Sequence, residues 1–584
     1  MAMHIHSSFS EQCGSMDSQL YQASTNQVDV LWWTDHDARM EAIGYRDVVH
    51  FTSLTQEQGG PGQGPPWLWQ PRPTGSLTSS SGGGIVQNPC SPDDPVAGGS
   101  MHLAAQSKSG QATYGYYANC DTSGYNYRDN LTGQSLLIDI LLASGWSKGY
   151  LELFIATSYH QASGGRPAGD YTLSYRFVPA GQPAGRVAQG INAVVTIPVQ
   201  PTSSAPWYTA TITPSADIAA LWPDLDHRDF ALWELTLRAV STGEMVEGYF
   251  DYLRLDRTIS GEVQLQEQQA MEILLAAKYP SVVQQQGLEV SWLLPHLNWF
   301  GGKVTMTDYG GTTPKTYTEF LAGTLVPQAH QAGGLISYNH PFGYKNGPLL
   351  PPAQQDALVR NVATAMLPAG SGPAALGSDL LEVGYPLRGG CDLAHHAALW
   401  DIMSRNAIFL TGNGVSDDHL GTNWTTIIDN WTTSAWAAST RQADLLAAMA
   451  AGRAWFGSLP GFGGSLDISA DTSCPMGSVS VSTVAKRQLT VDVTGVPARG
   501  SLQVLQGAVD YAGTAGLADN AQVVGSYPAA KLGGAPVQLK VSNKAGSYVR
   551  TQVLDASGTV VAMSNPVWLL RAAPPGGIPV AREA

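Results

Sequence analysis

Residues 3–6, Met3-His4-Ile5-His6, are the stretch of sequence that decides the expected fold. Alternate residues of a β-strand point to the same side, so His4 and His6 would present two imidazoles to one space. That arrangement is typical of a metal site. A His-x-His pair alone is weak evidence because it also occurs as an ordinary surface pair, so its meaning depends on the rest of the chain.

Four further segments carry His, Asp or Glu at or just after the end of a short apolar run. They are Thr34-Asp35-His36-Asp37, Gly287-Leu288-Glu289 with the later His296, Asn339-His340-Pro341 and Ser416-Asp417-Asp418-His419. Residues at strand ends converge on one mouth in a βα barrel, and such barrels build their active sites there. The pattern therefore predicts an α/β fold in which these segments share one site.

In this order the five motifs resemble the PHP (polymerase and histidinol phosphatase) superfamily of metal-dependent hydrolases, in its branch of large secreted members that are similar to carbaryl hydrolase. The resemblance covers roughly residues 1–69 and 258–466. It implies a distorted (βα)7 barrel of the PHP type. It also implies that the chain is periplasmic or extracellular, which the low content of charged residues fits.

The resemblance further implies which residues hold the ions. One ion would take His4, His6, Glu289 and Asp417; a second, bridged through Glu289, would take His296 and His340; a third would take His36, His419 and Glu11. Glu11 departs from the family, which usually has Asp or His at that place. A site with two ions is therefore the alternative to one with three.

The chemistry of this donor set supports a metal site. Imidazole with carboxylate suits zinc, manganese or iron(II), whereas a calcium site would be all oxygen. Two cations bridged by Glu289 would lie about 3.5–4 Å apart and could share a hydroxide that acts as the nucleophile. Asp35 would lie behind the ligands, to orient an imidazole or move a proton. The alternative for Asp35 is an ordinary cap of the following turn.

The function implied is a metal-dependent hydrolase of a small-molecule ester. Phosphoester hydrolysis is favoured because clustered cations neutralise developing charge on phosphoryl oxygens. Arg39 and Lys345, each near a ligand motif, are the candidate phosphate-binding and catalytic cations. One alternative is a carbamate or carboxylic ester hydrolase of the carbaryl-hydrolase type. Another is a carbohydrate-binding surface protein with an inactive barrel.

Other residues near the motifs have less certain roles. Glu382 ends an apolar run and is expected either behind the ligands, facing substrate, or in a structural role. His395 and His396 fall in a segment of helical periodicity and are expected on a helix away from the mouth. The aromatic residues expected to shape the mouth are Trp292, Trp299, Phe300, Tyr344 and Trp424.

Composition excludes some classes of function. The 584 residues carry 31 Lys and Arg against 46 Asp and Glu, a net charge of −15. An acidic chain without a basic stripe is a poor partner for nucleic acid. No run of 18 apolar residues occurs, so we expect no membrane-spanning segment. Cys90 and Cys120 flank a loop-rich stretch and could form a disulfide in an exported protein.

The sequence predicts four segments. Residues 1–69 and 258–466 would form the barrel, 70–257 an inserted jelly-roll-like β-sandwich and 467–584 a C-terminal immunoglobulin-like β-sandwich. Many short strands separated by turn residues support both sandwiches. Residues 247–255 resemble the last strand of galactose-binding-like jelly rolls, so the insert could bind carbohydrate; the alternative is that its aromatic residues are core. The Pro/Gly-rich tail from Ala572 is expected to be loose.

Overall fold

The structure of the chain is a computed structural model. It describes residues 1–10, 14–42, 48–56, 67–96, 98–119, 130–143, 146–199, 206–345, 347–368, 372–427, 429–471, 473–511, 513, 515 and 521–583. Its strands form three main bodies of sheet. Each body encloses its own cluster of buried apolar side chains. The predicted metal-ligand motifs belong to the first of these bodies, and the other two are larger in strand content.

The first body is a seven-stranded mixed sheet, here called the ligand sheet. Its strands, in the order in which they lie, are Ala2–Ile5, Val30–Trp33, Val283–Val290, Leu297–Phe300, Leu335–Tyr338, Leu380–Gly384 and Thr411–Gly414. The third and fourth strands and the fourth and fifth strands pair antiparallel, and the other pairs are parallel. Beyond the last strand, Asp418 bridges to Ile5 of the first, so the two edges of the sheet meet.

The second body is a sandwich of two antiparallel-rich sheets, here called the insert. One sheet contains Gly185–Gln189, Asn192–Val199, Gly169–Pro179, Tyr150–His160, Leu232–Ser241, Ser107–Asn119, Gln70–Pro71 and Thr74–Leu77. The other contains Tyr208–Ile212, Gln134–Leu142, Val246–Arg257, Ser100–Ala105, Gly82–Val86 and Val48–Val49. Because Val48–Val49 pairs with Val246–Arg257, sandwich structure is already present before residue 70.

The third body lies near the end of the chain. One sheet contains Trp431–Ala435, Ala454–Ser458, Val560–Ser564, Ser547–Leu554, Ser501–Ala508, Gln522–Pro528, Val567–Leu570 and Val479–Val481. The other contains Leu466–Ala470, Lys486–Val493 and Val537–Ser542. Two short hairpins, Thr55–Gln56 with Trp67–Leu68 and Leu387–Arg388 with Cys391–Asp392, complete the described strands.

The helices are short and most of them flank the ligand sheet. They are Met16–Thr25, Asp37–Met40, Pro214–Leu221, Gly261–Ala276, Tyr317–Phe320, Val326–Gln331, Pro352–Met366, Leu393–Arg405 and Gln442–Ala450. Ser15, Ser260 and Asp392 cap three of them by accepting a backbone N–H, as N-cap residues do. Among the described residues, the helices lack the length and apolar character needed to cross a membrane.

The expected α/β class, a distorted (βα)7 barrel, is wrong for this chain. Strands of the insert and of the third body dominate the described structure, helices are a minor part, and the ligand sheet has two antiparallel pairings. The class was assigned from the few residues that carry ligand chemistry, whereas most of the chain lies in strands with one buried face. The predicted β-sandwich architecture itself is confirmed.

Candidate metal centre

His4 and His6 lie at the end of the first strand with their rings on the same side, 5.0 Å apart between centroids. Both residues are fully buried. His4 Nε2 lies 3.4 Å from Glu289 Oε1 and 3.3 Å from Asp417 Oδ1. His6 Nε2 lies 3.0 Å from Asp417 Oδ1 and 3.6 Å from Glu289 Oε2. The alternation of a strand thus brings two imidazoles against two carboxylates from distant segments.

Glu289 stands at the centre of the cluster. Its strand, Val283–Val290, holds it next to His36 through a parallel bridge, and His36 Nδ1 lies 2.6 Å from Glu289 Oε2. His296 Nδ1 and His340 Nε2 each lie 3.2 Å from Glu289 Oε1. Asn339, beside His340, donates its side-chain N–H to the same oxygen at 2.9 Å. One buried carboxylate therefore faces imidazoles from four segments.

The motif of residues 416–419 follows the last strand of the ligand sheet and supplies the remaining side chains of the cluster. The backbone N–H of His6 donates to the Asp418 carbonyl at 3.0 Å, which brings Asp417 beside the first strand. The His419 ring stacks on His6 with centroids 4.1 Å apart. Asp417 has a φ of +51°, in the left-handed region that a non-glycine residue adopts at a local cost. The backbone is held in this strained form where the carboxylate meets His4 and His6.

The residues present fit divalent transition ions. Two donor atoms that each lie about 2.1 Å from one tetrahedral ion are about 3.4 Å apart, and the measured spacings around His4 and His6 span 3.0–3.6 Å. Among the described residues, three overlapping groups place their donor atoms within 4.8 Å of one another: His4, His6 and Glu289; His36, Glu289 and His296; His6, His36 and His419. His4 Nε2 is buried without a hydrogen-bond partner among the described residues. A cation there would satisfy it.

The electrostatics of the cluster leave His6, His340 and Glu289 in the protonation states that metal ligands need. Burial, with the neighbouring His419 and His36, holds the pKa of His6 well below its usual value. Burial also lowers the pKa of His340 to about 4. Against the effect of burial, the surrounding imidazoles hold the pKa of Glu289 well below its usual range. Neutral imidazoles around an ionised carboxylate are the forms that bind cations.

Glu382 lies directly behind the cluster. It accepts hydrogen bonds from His4 Nδ1 at 2.7 Å, from the His340 backbone N–H at 2.7 Å and from the Tyr385 hydroxyl at 2.6 Å. Although burial alone would lower it, the Glu382 and Glu289 carboxylates raise the pKa of His4 to about 9, so an ion would have to displace the Nε2 proton of His4. Because Glu382 accepts a hydrogen bond from His4 Nδ1–H, His4 directs Nε2 toward the cluster, as in carboxylate–histidine–metal arrangements.

Asp35 does not contact a cluster imidazole through its carboxylate. It accepts from the Ser7 backbone N–H and hydroxyl, both at 2.7 Å, from the Ser10 hydroxyl at 2.6 Å and from Gln268. Burial raises its pKa. Asp35 therefore holds the turn that follows His6, which places it behind the ligand segment instead of against an imidazole.

The remaining predicted residues have different outcomes. Glu11 and Cys120 lie outside the described residues, so the third ion's carboxylate and the disulfide stay predictions. Lys345 is exposed, and its carbonyl accepts from Gly389. Arg39 is partly buried and its carbonyl accepts from Arg257.

The aromatic residues predicted at the mouth, and the two histidines predicted on a helix away from it, lie only in part where they were expected. Trp299, Phe300 and Trp424 are buried core residues and do not shape an opening. His395 and His396 do lie on the helix Leu393–Arg405, but His396 is buried against Phe342 and Tyr385. Trp292 and Tyr344 are half-buried, and the Tyr344 ring lies parallel to that of His296 with centroids 6.0 Å apart.

Sequence reasoning missed Arg388, which touches the cluster, and Asp229, which holds the segment that follows His6. Arg388 contacts the Asp417 carboxylate and lies 3.5 Å from Asp429 Oδ2. Asp229 of the insert accepts from the Ser8 hydroxyl at 2.8 Å and from the backbone N–H groups of Met16 and Asp17 at 2.7 and 3.1 Å. Neither contact has a local sequence signal, because each joins segments far apart in the chain.

No family model and no curated protein matches this chain. Solved structures match at low similarity. A carbohydrate-binding module of the β-sandwich superfamily is 11% identical, over 35% of this chain and 62% of that one, with a TM-score of 0.18. Endoglucanase 3 of Trichoderma harzianum, from family GH12, is 9% identical over 36% and 97%, with a TM-score of 0.21. A β-1,2-glucanase of Parabacteroides distasonis is 8% identical over 90% and 38%, with a TM-score of 0.20.

The chain therefore spans less than two thirds of the module and of the β-1,2-glucanase. TM-scores this low carry no argument about what the chain does. Only the residues of the chain itself support a proposal for its function.

Proposed function

We propose that this chain is a metal-dependent hydrolase that cleaves an ester bond, with two to three zinc, manganese or iron(II) ions held by the cluster around Glu289. The observation that supports it is the 3.0–3.6 Å spacing of His4 and His6 Nε2 from the Glu289 and Asp417 carboxylates. That is the separation of donors that share an ion, and it agrees with the PHP resemblance of the five motifs. Export to the periplasm or outside the cell belongs to the same proposal.

The protein's own groups would prepare the site for this chemistry. Bound divalent ions supply Lewis-acid activation of water and of the ester. Glu382 fixes the tautomer of His4, and Asn339 holds Glu289 by a hydrogen bond. Asp35 fixes the turn after His6. These contacts orient the donors before any ion arrives, so little reorganisation accompanies binding.

The class of ester is decided by what neutralises charge on the substrate. Arg388 contacts a proposed ligand, but Asp417 and Asp429 already engage its guanidinium. Lys345 is exposed. A phosphate group would therefore depend on the ions themselves, so carboxylic and carbamate esters belong in the same test as phosphoesters.

The test is metal analysis combined with a substrate panel. Purified protein is stripped, reconstituted separately with zinc, manganese and iron(II), and assayed on chromogenic phosphomonoesters, phosphodiesters, carboxylic esters and carbamates. We expect at least two ions per chain and turnover of one ester class that depends on them. Uptake of one ion or none under all three conditions would contradict the proposal, and so would turnover that survives stripping.

A second candidate function is carbohydrate binding by the insert. A cavity of about 690 Å³ lies there, lined among others by Tyr175, Arg186, Tyr208 and Asp217. The Tyr175 hydroxyl and Arg186 Nε bond the Asp217 carboxylate at 3.1 and 2.5 Å. An aromatic ring beside a polar pair is a suitable lining for a sugar. Carbohydrate-binding proteins are among the matched structures, but their TM-scores are too low to support this candidate.

Carbohydrate binding is tested by affinity electrophoresis of the full chain in gels that contain β-glucans, xylan or mannan. Arg186→Ala and Tyr208→Ala should abolish any retardation. Arg441→Ala is the matched control, because it removes an exposed guanidinium directly before the helix Gln442–Ala450. Absence of retardation by every polysaccharide, or equal retardation of all variants, would dismiss this candidate.

A further inference from the structure

Arg388 occupies an unusual place behind the cluster. It lies on the hairpin Leu387–Arg388 with Cys391–Asp392, whose turn residues Gly389 and Gly390 have φ values of +60° and +76°. Its side chain is 5% exposed. One guanidinium nitrogen, Nη2, contacts Asp417 Oδ2, and the other, Nη1, lies 3.5 Å from Asp429 Oδ2. The hairpin thus carries a buried cation to the back of a proposed metal ligand.

The two oxygens of Asp417 have different surroundings. Oδ1 faces the imidazoles, at 3.0 Å from His6 Nε2 and 3.3 Å from His4 Nε2. Oδ2 faces Arg388. A guanidinium is planar and always charged, so it fixes the plane of a carboxylate better than a flexible ammonium does. Only one oxygen of Asp417 is then directed toward the position of an ion.

We propose that Arg388 positions Asp417 as a one-oxygen metal ligand and that Asp429 anchors Arg388 from its other side. This inference rests on the proposed function, because it assumes an ion between His4, His6 and Asp417. Asp429 is 2% exposed, so Arg388 also supplies the positive charge that two buried carboxylates need. The Tyr385 ring lies 5.7 Å from the guanidinium carbon, and its hydroxyl donates to Glu382. Tyr385 therefore lies between Glu382, which orients His4, and Arg388, which contacts Asp417.

The test compares Arg388 with a second buried arginine. Arg550 Nε and Nη2 bond the two oxygens of Asp401 at 3.1 Å each, and both side chains are about as buried as those of Arg388 and Asp417. Arg388→Lys, Arg388→Gln and Asp429→Asn are made beside Arg550→Lys and Arg550→Gln. Each full-length protein is measured for ion content, for zinc affinity against a chromogenic chelator, for its cobalt(II) absorption spectrum and for unfolding after stripping.

We expect the Arg388 variants to lose roughly 10- to 100-fold in affinity for one ion, the size typical of groups that orient a ligand, and to show an altered cobalt(II) spectrum. Arg388→Lys should lose less than Arg388→Gln, since it keeps the charge without the planar fork. The Arg550 variants should unfold more easily after stripping yet keep zinc affinity within about threefold of the wild type, well below the loss expected for a ligand-orienting group. That contrast separates positioning from general stability.

Each other result has a definite meaning. Arg388 variants that fold and keep wild-type affinity and an unchanged cobalt(II) spectrum overturn the inference but leave the proposed function standing. If neither Arg388 variant folds, Asp429→Asn decides, and unchanged affinity there overturns it. Equal losses for Arg388 and Arg550 variants would make the effect one of stability and would also overturn it. A wild-type chain that takes up no ion overturns the proposed function together with this inference.

Discussion

Two buried carboxylates, Asp139 of the insert and Glu289 of the ligand sheet, are surrounded in different ways. Asp139 accepts from the Ser91 and Thr209 hydroxyls at 2.6 and 2.7 Å and from Arg254 at 2.7 Å. Protein donors and a protein cation complete its environment. Glu289 is surrounded by imidazoles, and beside it His4 Nε2 is buried without a hydrogen-bond partner among the described residues.

The difference is the one expected between a structural polar cluster and the proposed metal site. A buried carboxylate with paired donors and a matching charge needs nothing further. Several imidazoles crowded against one another and against a single carboxylate are poorly satisfied by protein groups alone. A bound cation would satisfy that arrangement.

The largest expected effect is that of Glu289→Gln. It removes the charge that faces five imidazoles, so metal affinity should fall by more than about 100-fold, beyond what residues behind the ligands contribute. Asp139→Asn should instead lower stability and leave ion content unchanged. Ion content by elemental analysis and affinity by chelator competition check this. His395→Ala, at a half-buried helix residue, is the activity control, and equal losses in Glu289→Gln and His395→Ala would show the proposed ligand set to be wrong.

Removal of the ions should come next in size. An ion that binds only the folded chain, present at about 1,000 times its dissociation constant, stabilises it by about 4 kcal/mol. Chelation should therefore lower the free energy of unfolding by about that amount per tightly bound ion, and added zinc should restore it. Denaturant unfolding with and without chelator measures the change. Protection from hydrogen exchange should fall in the ligand sheet and stay constant in the strand Gln134–Leu142; a uniform loss would argue against ions confined to the cluster.

Glu382→Gln should have an intermediate effect. The amide cannot accept from His4 Nδ1, His340 N–H and the Tyr385 hydroxyl as an ionised carboxylate does, so the orientation of His4 is lost. We expect about 10- to 100-fold weaker metal binding. Tyr385→Phe, which deletes one donor and keeps the carboxylate, should cost less. If Tyr385→Phe weakened binding as much as Glu382→Gln, packing and not orientation would explain the loss.

The smallest effect concerns pH in the insert. Burial, with the nearby Asp94 and Asp139 carboxylates, raises the pKa of Asp251 to about 7. An acid whose pKa is higher in the folded state binds its proton more tightly there. Its stabilising contribution is complete below its unfolded pKa of about 4 and is lost as pH rises through 7, a change of about 1–2 kcal/mol after screening by solvent.

Asp251→Asn should therefore flatten the loss of insert stability between pH 4 and 7. Hydrogen exchange of the strand Gln134–Leu142, which pairs with the Asp251 strand, is the measurement. Asp308→Asn, at an exposed carboxylate, is the control and should keep the wild-type slope. A slope that Asp251→Asn leaves unchanged would assign the pH dependence to other groups.

Much of the candidate site could be predicted because its signals are local. His4 and His6 follow from strand alternation, and His36, Glu289, His340 and Asp417 from strand ends. Partners such as Arg388 and Asp229 could not be predicted, since hairpin and loop geometry bring them to the cluster from distant parts of the chain.

The fold was predicted less well for a physical reason. Helical periodicity correctly placed His395 and His396 on a helix, Leu393–Arg405. The tail expected to be loose contains Arg582, which is buried and donates to the Gly477 carbonyl at 2.9 Å. Fold class is set by where most strands bury their faces, and ligand motifs carry no information about that.

Asp229 connects the insert to the segment that carries His4 and His6. It belongs to the insert, yet it holds Ser8, two residues after His6, and the first N–H groups of the helix Met16–Thr25. If the cluster holds ions, a ligand of the insert that shifts Asp229 would also change the affinity of the cluster for those ions. Thermodynamic reciprocity then requires the ions to change the affinity of the insert for that ligand by the same factor. Ligand binding to the insert and ion binding to the cluster would then be coupled through the Asp229 carboxylate.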